Sequence, residues 1–143
     1  MTFNYRGVGL SEGTPSIQKI RRDAELVALH VRQRVGGNAK IGTHGMSMGG
    51  SIATHLARKG LVDFLFADRT FSQLDEVPRY SMGTWAKYGM KFFTGWWDTD
   101  ITRDYIFTSC YKVIAADPND EIVDERASLK SGVAEQIVKN ELH

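Results

Sequence analysis

Gly45-Met46-Ser47-Met48-Gly49 sets a serine between two glycines at the spacing G-x-S-x-G. A serine so placed can attack a carbonyl when a sharp strand-to-helix turn thrusts its hydroxyl into the open. The neighbours meet the steric condition for that turn. Gly45, Gly49, Gly50 and Ser51 are all small, so strand and helix backbones can approach closely. A helix opening at this point would turn its free N–H groups and dipole toward developing negative charge. The Met48 N–H is then one oxyanion donor. The same five letters also arise by chance as a glycine-rich turn with an incidental serine, so the flanking elements have to decide.

Those elements alternate as strand, loop, helix. Ala39 to His44 reads as a short strand before the motif and Ile52 to Lys59 as a helix after it, closed by Gly60. Upstream, Met1 to Tyr5 reads as a strand, followed by a loop with Gly7, Gly9 and Gly13. A helix follows, with Thr14 as N-cap and Pro15 at its first position. Ile17, Ile20, Ala24, Val27, Val31 and Val35 form its apolar stripe, which stops at Gly36-Gly37. Leu61 to Ala67 and Cys110 to Ala116 read as buried parallel strands, each ending at an aspartate. The tail from about Asp124 reads as a helix interrupted by Ser131-Gly132. This order predicts an α/β fold, a mostly parallel sheet between helix layers.

Composition narrows the classes. The 143 residues fit one globular domain, or part of one, that can bury roughly two thirds of its unfolded surface. Eighteen Lys and Arg against 17 Asp and Glu give a net charge of +1, which offers no footprint for nucleic acid or anionic lipid. No apolar run reaches the roughly 18 to 20 residues of a membrane span. The single Cys110 is compatible with a reducing compartment such as the cytoplasm, and no targeting address is visible.

With the serine turn and its strand and helix in place, the sequence resembles the α/β-hydrolase superfamily, in its lipase, thioesterase and serine-aminopeptidase-like branch. Asn4-Tyr5-Arg6-Gly7-x-Gly9-x-Ser11-x-Gly13 looks like that family's fourth strand and following loop, and His44 to Gly50 looks like its nucleophile elbow. Asp117-Pro118-Asn119-Asp120-Glu121-Ile122-Val123 is similar to the turn that carries the triad acid after the seventh strand. The resemblance implies a three-layer sandwich holding strands four to seven, with Ser47 as nucleophile and Asp120 as the acid. Asp68, which ends the preceding strand, is the competing acid and can equally be a structural carboxylate paired with Arg69. In the same frame residues 69–109, with Trp85, Trp96, Trp97, Tyr80, Tyr88, Phe92 and Phe93, resemble a cap whose side chains wall an acyl pocket. Trp85, Tyr88, Phe92 and Trp96 also approximate the spacing of an ordinary buried helix face.

The departures from the family matter as much. Its first three strands, the loop supplying the second oxyanion donor and its eighth strand have no counterpart, so residues 1–143 read as a single, truncated domain. The histidine is unsettled. His55 lies eight residues past Ser47, roughly 12 Å along a helix, beyond direct reach, and reads as a surface residue. His44 would tie down the turn, and His30 belongs to the earlier helix. His143 has the family's chain order but is terminal, where chains fray.

Two rivals fall to spacing. A calcium loop counted from Asp117 needs Gly and Glu where Ile122 and Ser128 stand. A dinucleotide fingerprint needs its helix to open within the glycines, whereas Thr14-Pro15 lies beyond them. The expectation is therefore a cofactor-free serine hydrolase acting on an ester, thioester or amide of an acyl or lipid-like substrate. Its alternative is an incomplete hydrolase fragment, vestigial or partner-binding, whose open sheet edges invite self-association.

Overall fold

The computed structural model describes residues 1–73, 100–120 and 122–141. Three five-residue strands, β1 (Gly42–Met46), β2 (Phe64–Asp68) and β3 (Tyr111–Ala115), form one sheet in that order, both pairings parallel. Among the described residues four α-helices accompany them: α1 (Ile17–Val35), α2 (Met48–Arg58), α3 (Ile101–Ile106) and α4 (Leu129–Glu141), with a short 3-10 turn at Glu125–Ala127. The α/β class with a parallel sheet is as expected.

Alternation along β2 divides the sheet into two faces. Leu65 and Ala67 are fully buried on one face, packed with Ile52, Ala53, Leu56 and Ala57 of α2 and with Ile17, Ile20 and Ala24 of α1. Ile101 and Tyr105 of α3 and Leu129 of α4 join the same core. Phe64, Phe66, Tyr111 and Val113 lie on the other face. There Tyr111 is 73% exposed and its ring stacks on Phe64, with 5.8 Å between centroids. Among the described residues the helices pack on one face of the sheet.

Lys112 alternates to the covered face and closes α3. Its ammonium donates to the carbonyls of Tyr105, Ile106 and Thr108 at 2.7, 3.0 and 2.8 Å, satisfying acceptors a helix end leaves free. Just before β2, at the amino ends of the strands, Asp63 accepts from the Ile41 N–H (2.9 Å), Arg32 of α1 (2.9 Å) and Lys40 (3.2 Å). These bonds, the Ile41 N–H foremost, hold its carboxyl far below the usual range and fix where β1 and β2 begin.

Several boundaries differ from expectation, each for a local reason. Met1 to Tyr5 is not a strand, since no strand among the described residues pairs with it; Phe3 and Tyr5 instead meet edge to face at 5.8 Å. The loop that follows does take left-handed angles, with φ of 73° at Gly7, 61° at Gly9 and 98° at Gly13. Helix α1 starts two residues later than Thr14 implies: Ser16 is the cap, its hydroxyl accepting from the Lys19 N–H at 3.4 Å. The strands β1 and β2 run on to Met46 and Asp68, and α2 starts at Met48 rather than Ile52.

Gly132 does not interrupt the tail. Helix α4 runs straight through it, because a Cβ there would lie 2.7 Å from both Ser72 Cβ and Thr102 Oγ1. The glycine serves close approach, so Gly132→Ala is expected to destabilise the fold by about 1–3 kcal/mol through overpacking. That exceeds the roughly 1 kcal/mol alanine adds in helix propensity. Urea melts decide the sign; a more stable variant would contradict the packing account.

Candidate active site

Parallel strands in register bring their carboxyl ends to one edge. Met46, Asp68 and Ala115 are opposed across the sheet, so the segments that follow them are neighbours: Ser47 after β1, Arg69 after β2, and the Asp117 to Asp120 turn after β3. Crevices at such an edge are where open α/β sheets bind ligands.

Ser47 is the sharpest feature there. It stands alone between β1 and α2 with φ 52° and ψ −121°, one of two non-glycine residues at positive φ among those described, and its hydroxyl makes no capping bond to the helix. Its N–H donates to Asp68 O at 2.9 Å and its carbonyl accepts from the Gly50 N–H at 3.0 Å, so the strained residue is held from both sides. Its side chain is half-buried. Met48 is the first residue of α2, so its N–H has no acceptor within the helix.

The small residues around the serine differ in what they do. A Cβ at Gly45 would stand 2.2 Å from Gly49 O, and one at Gly50 would stand 1.8 Å from Thr70 Oγ1. Gly49 is roomier, its nearest neighbour being the Tyr5 hydroxyl at 3.7 Å. Ser51 is buried and returns its hydroxyl to Met48 O at 2.8 Å.

The two candidate acids are both engaged. Asp120 Oδ1 accepts from the Val123 and Ile122 N–H groups at 2.9 and 2.8 Å; these bonds, with a further pull from Arg69, lower its pKa. Asp68 Oδ1 accepts from Arg69 Nε at 3.2 Å, and Oδ2 lies 3.5 Å from His44 Nε2. The sign for stability follows from the direction of the shift. The lowered carboxyl of Asp120 stabilises the fold fully above its unfolded pKa near 4, and that contribution is lost as pH falls through the folded value. Melting temperature is expected to fall below about pH 4. Asp120→Asn should lose part of that acid dependence; an identical pH profile in the variant would contradict this.

The histidines sort themselves. His44 is exposed, its ring edge against Phe66 at 5.0 Å, on the face of the sheet that no described helix covers. His55 is not a surface residue: its side chain is 13% exposed and Nε2 meets Glu25 Oε1 at 2.6 Å, joining α2 to α1. Its place on a buried helix face explains this, since Thr54, Leu56 and Ala57 around it are buried. His30 is exposed on α1. His143, Glu121 and the aromatic residues from Tyr80 to Trp97 lie outside the described residues. Among the described residues no hydrogen bond joins the Ser47 hydroxyl to a histidine, and no cluster of acids, histidines and cysteine could hold a metal ion.

Two site residues escape sequence reasoning. Tyr5, read only as part of a strand, brings its hydroxyl over the first turn of α2. Arg69, read only as a partner for Asp68, has φ 45° and donates through Nη2 to Met46 Sδ at 3.1 Å. A charged residue directly after an apolar strand is the one signal that could have drawn attention to it.

No family model matches the chain, and no solved structure matches it. It is similar to an uncharacterized membrane protein of Saccharomyces cerevisiae, YNL320W, with 33% identity over 81 residues. That match takes in 54% of this chain but only 28% of the yeast protein's length. Among the described residues of this chain no helix is long and apolar enough to cross a membrane.

Proposed function

We propose that the chain carries the nucleophile side of a serine hydrolase of α/β-hydrolase type, cleaving ester, thioester or amide bonds through an acyl-serine. The observation that carries the reading is the Ser47 backbone, strained to φ 52° and ψ −121° between strand and helix with its hydroxyl uncommitted to the cap. A merely structural serine at a helix start would use that hydroxyl as the cap.

In this reading Ser47 Oγ attacks the carbonyl carbon while its proton passes to a histidine. The Met48 N–H steadies the oxyanion, and the leaving group departs with the histidine's proton. Water then repeats the sequence on the acyl-serine, releasing the acid. Asp120 is the residue assigned to hold the histidine. A substrate with a bulky acyl group suits the aromatic segment within residues 69–109.

A second reading is a catalytically incomplete fragment that acts by binding, for which the sheet face that no described helix covers, with Tyr111 73% exposed, offers a surface. Labelling by a broad fluorophosphonate probe separates the two. Labelling that vanishes in Ser47→Ala supports an activated nucleophile; none in a sample with a cooperative melt supports the fragment.

A further inference from the structure

The segment after β2 is tied to both halves of the candidate site. Asp68 O accepts from the Ser47 N–H, Arg69 N donates to Ala115 O at 2.8 Å, and Thr70 O accepts from the Leu129 N–H at 2.7 Å. Phe71 bridges to Ser128, and the Ser72 N–H donates to Ala127 O at 2.8 Å. Residues 68–72 are thus a strap with the serine turn on one side and the segment following the acid turn on the other. Arg69 is where the strap meets both.

Its backbone is left-handed, an arrangement that costs a non-glycine residue free energy and that persists only when its surroundings enforce it. Its guanidinium reaches Asp68 Oδ1 through Nε and Met46 Sδ through Nη2, the residue immediately before Ser47. Arg69 also lines a small cavity together with Ala116, Asp117, Asp120, Val123, Glu125 and Ser128. Asp68, Asp117 and Asp120 all act on its charge, and in return it helps keep the Asp120 carboxyl ionised.

We infer that Arg69 is a positioning residue of the candidate site. Its guanidinium, fixed on Asp68 and Met46 and sharing a cavity with Asp117 and Asp120, holds the acid turn in register with the serine turn. The inference rests on the serine-hydrolase reading and adds to it a residue that touches neither substrate nor reacting atoms. A guanidinium suits this task better than an ammonium, since its planar fork serves two partners in fixed directions.

The test compares wild type, Arg69→Gln and Arg69→Lys by rate of fluorophosphonate labelling at Ser47, by thermal melt and by carbon-13 titration of the Asp120 carboxyl. Misplacement of a positioned group costs up to about a hundredfold in rate, so Arg69→Gln is expected to label about ten- to a hundredfold more slowly. Arg69→Lys is expected to recover part of the rate. Melting should change little, because the Asp68 partner pair is exposed and weak. The Asp120 titration should move upward in Arg69→Gln and less in Arg69→Lys, which keeps the charge, while the partial recovery of rate in Arg69→Lys is the readout that a purely structural role would not give. Wild-type labelling with an unchanged rate and titration in Arg69→Gln overturns the inference alone. A folded wild type that the probe does not label at Ser47 overturns the hydrolase reading and this inference with it.

Discussion

On the proposed hydrolase reading, exchanging Ser47 for alanine is expected to abolish fluorophosphonate labelling, and exchanging it for glycine is expected to do so while raising stability. Loss of the nucleophile in enzymes of this chemistry costs on the order of a millionfold in turnover, because base and acid have nothing left to act upon. The gain in stability has a separate origin. Backbone angles of φ 52° and ψ −121° cost a side-chain-bearing residue about 1–3 kcal/mol, and glycine adopts them freely. No bond from the serine side chain to the helix is lost in return. Thermal melts of the serine and glycine forms, run beside the labelling assay, check both halves. A glycine form that melts lower would mean the hydroxyl has a structural duty, and a retained label would place the nucleophile elsewhere.

The second large effect belongs to Gly50. Its added Cβ would stand 1.8 Å from Thr70 Oγ1 and 2.7 Å from two further Thr70 carbons. Thr70 is 1% exposed and its carbonyl is bonded to the Leu129 N–H, so it cannot retreat without moving the strap after β2. Gly50→Ala is therefore expected to cost roughly 3 kcal/mol or more, the upper range for overpacking. Gly49→Ala, one residue earlier, meets only the Tyr5 hydroxyl at 3.7 Å and should be tolerated. Helix propensity would even favour it by about 1 kcal/mol. Denaturant midpoints of the two variants provide the comparison, and equal stabilities would contradict the geometry of the turn.

What the sequence disclosed follows from where its signals are local. The serine turn was legible because the glycines, the strand before and the helix after are all short-range features, and the structure places Ser47 between Met46 and Met48 accordingly. The strands β2 and β3 were legible as apolar runs. Met1 to Tyr5 misled because a short segment ahead of a glycine loop can suit a strand, but pairing makes one. Gly132 misled because a glycine within a helix reads as a break until the neighbour that requires it, here Ser72 and Thr102, is known. His55 misled because its partner Glu25 lies on another helix. Arg69 was invisible as more than an ion-pair partner, since its bond to Met46 and the cavity it shares with Asp117 and Asp120 arise only when three strands end side by side.

The parallel ladder also has a consequence for how the chain assembles. No two of the described strands can be joined by a tight hairpin, so each of their pairings has to wait for a crossover segment to be traversed. Joining Gly42 to Phe64 closes a far shorter loop than joining Phe64 to Tyr111. Loop-closure entropy therefore favours β1, α2 and β2 as the seed on which β3 condenses. The serine turn lies inside that seed, whereas the acid turn arrives only with the last strand.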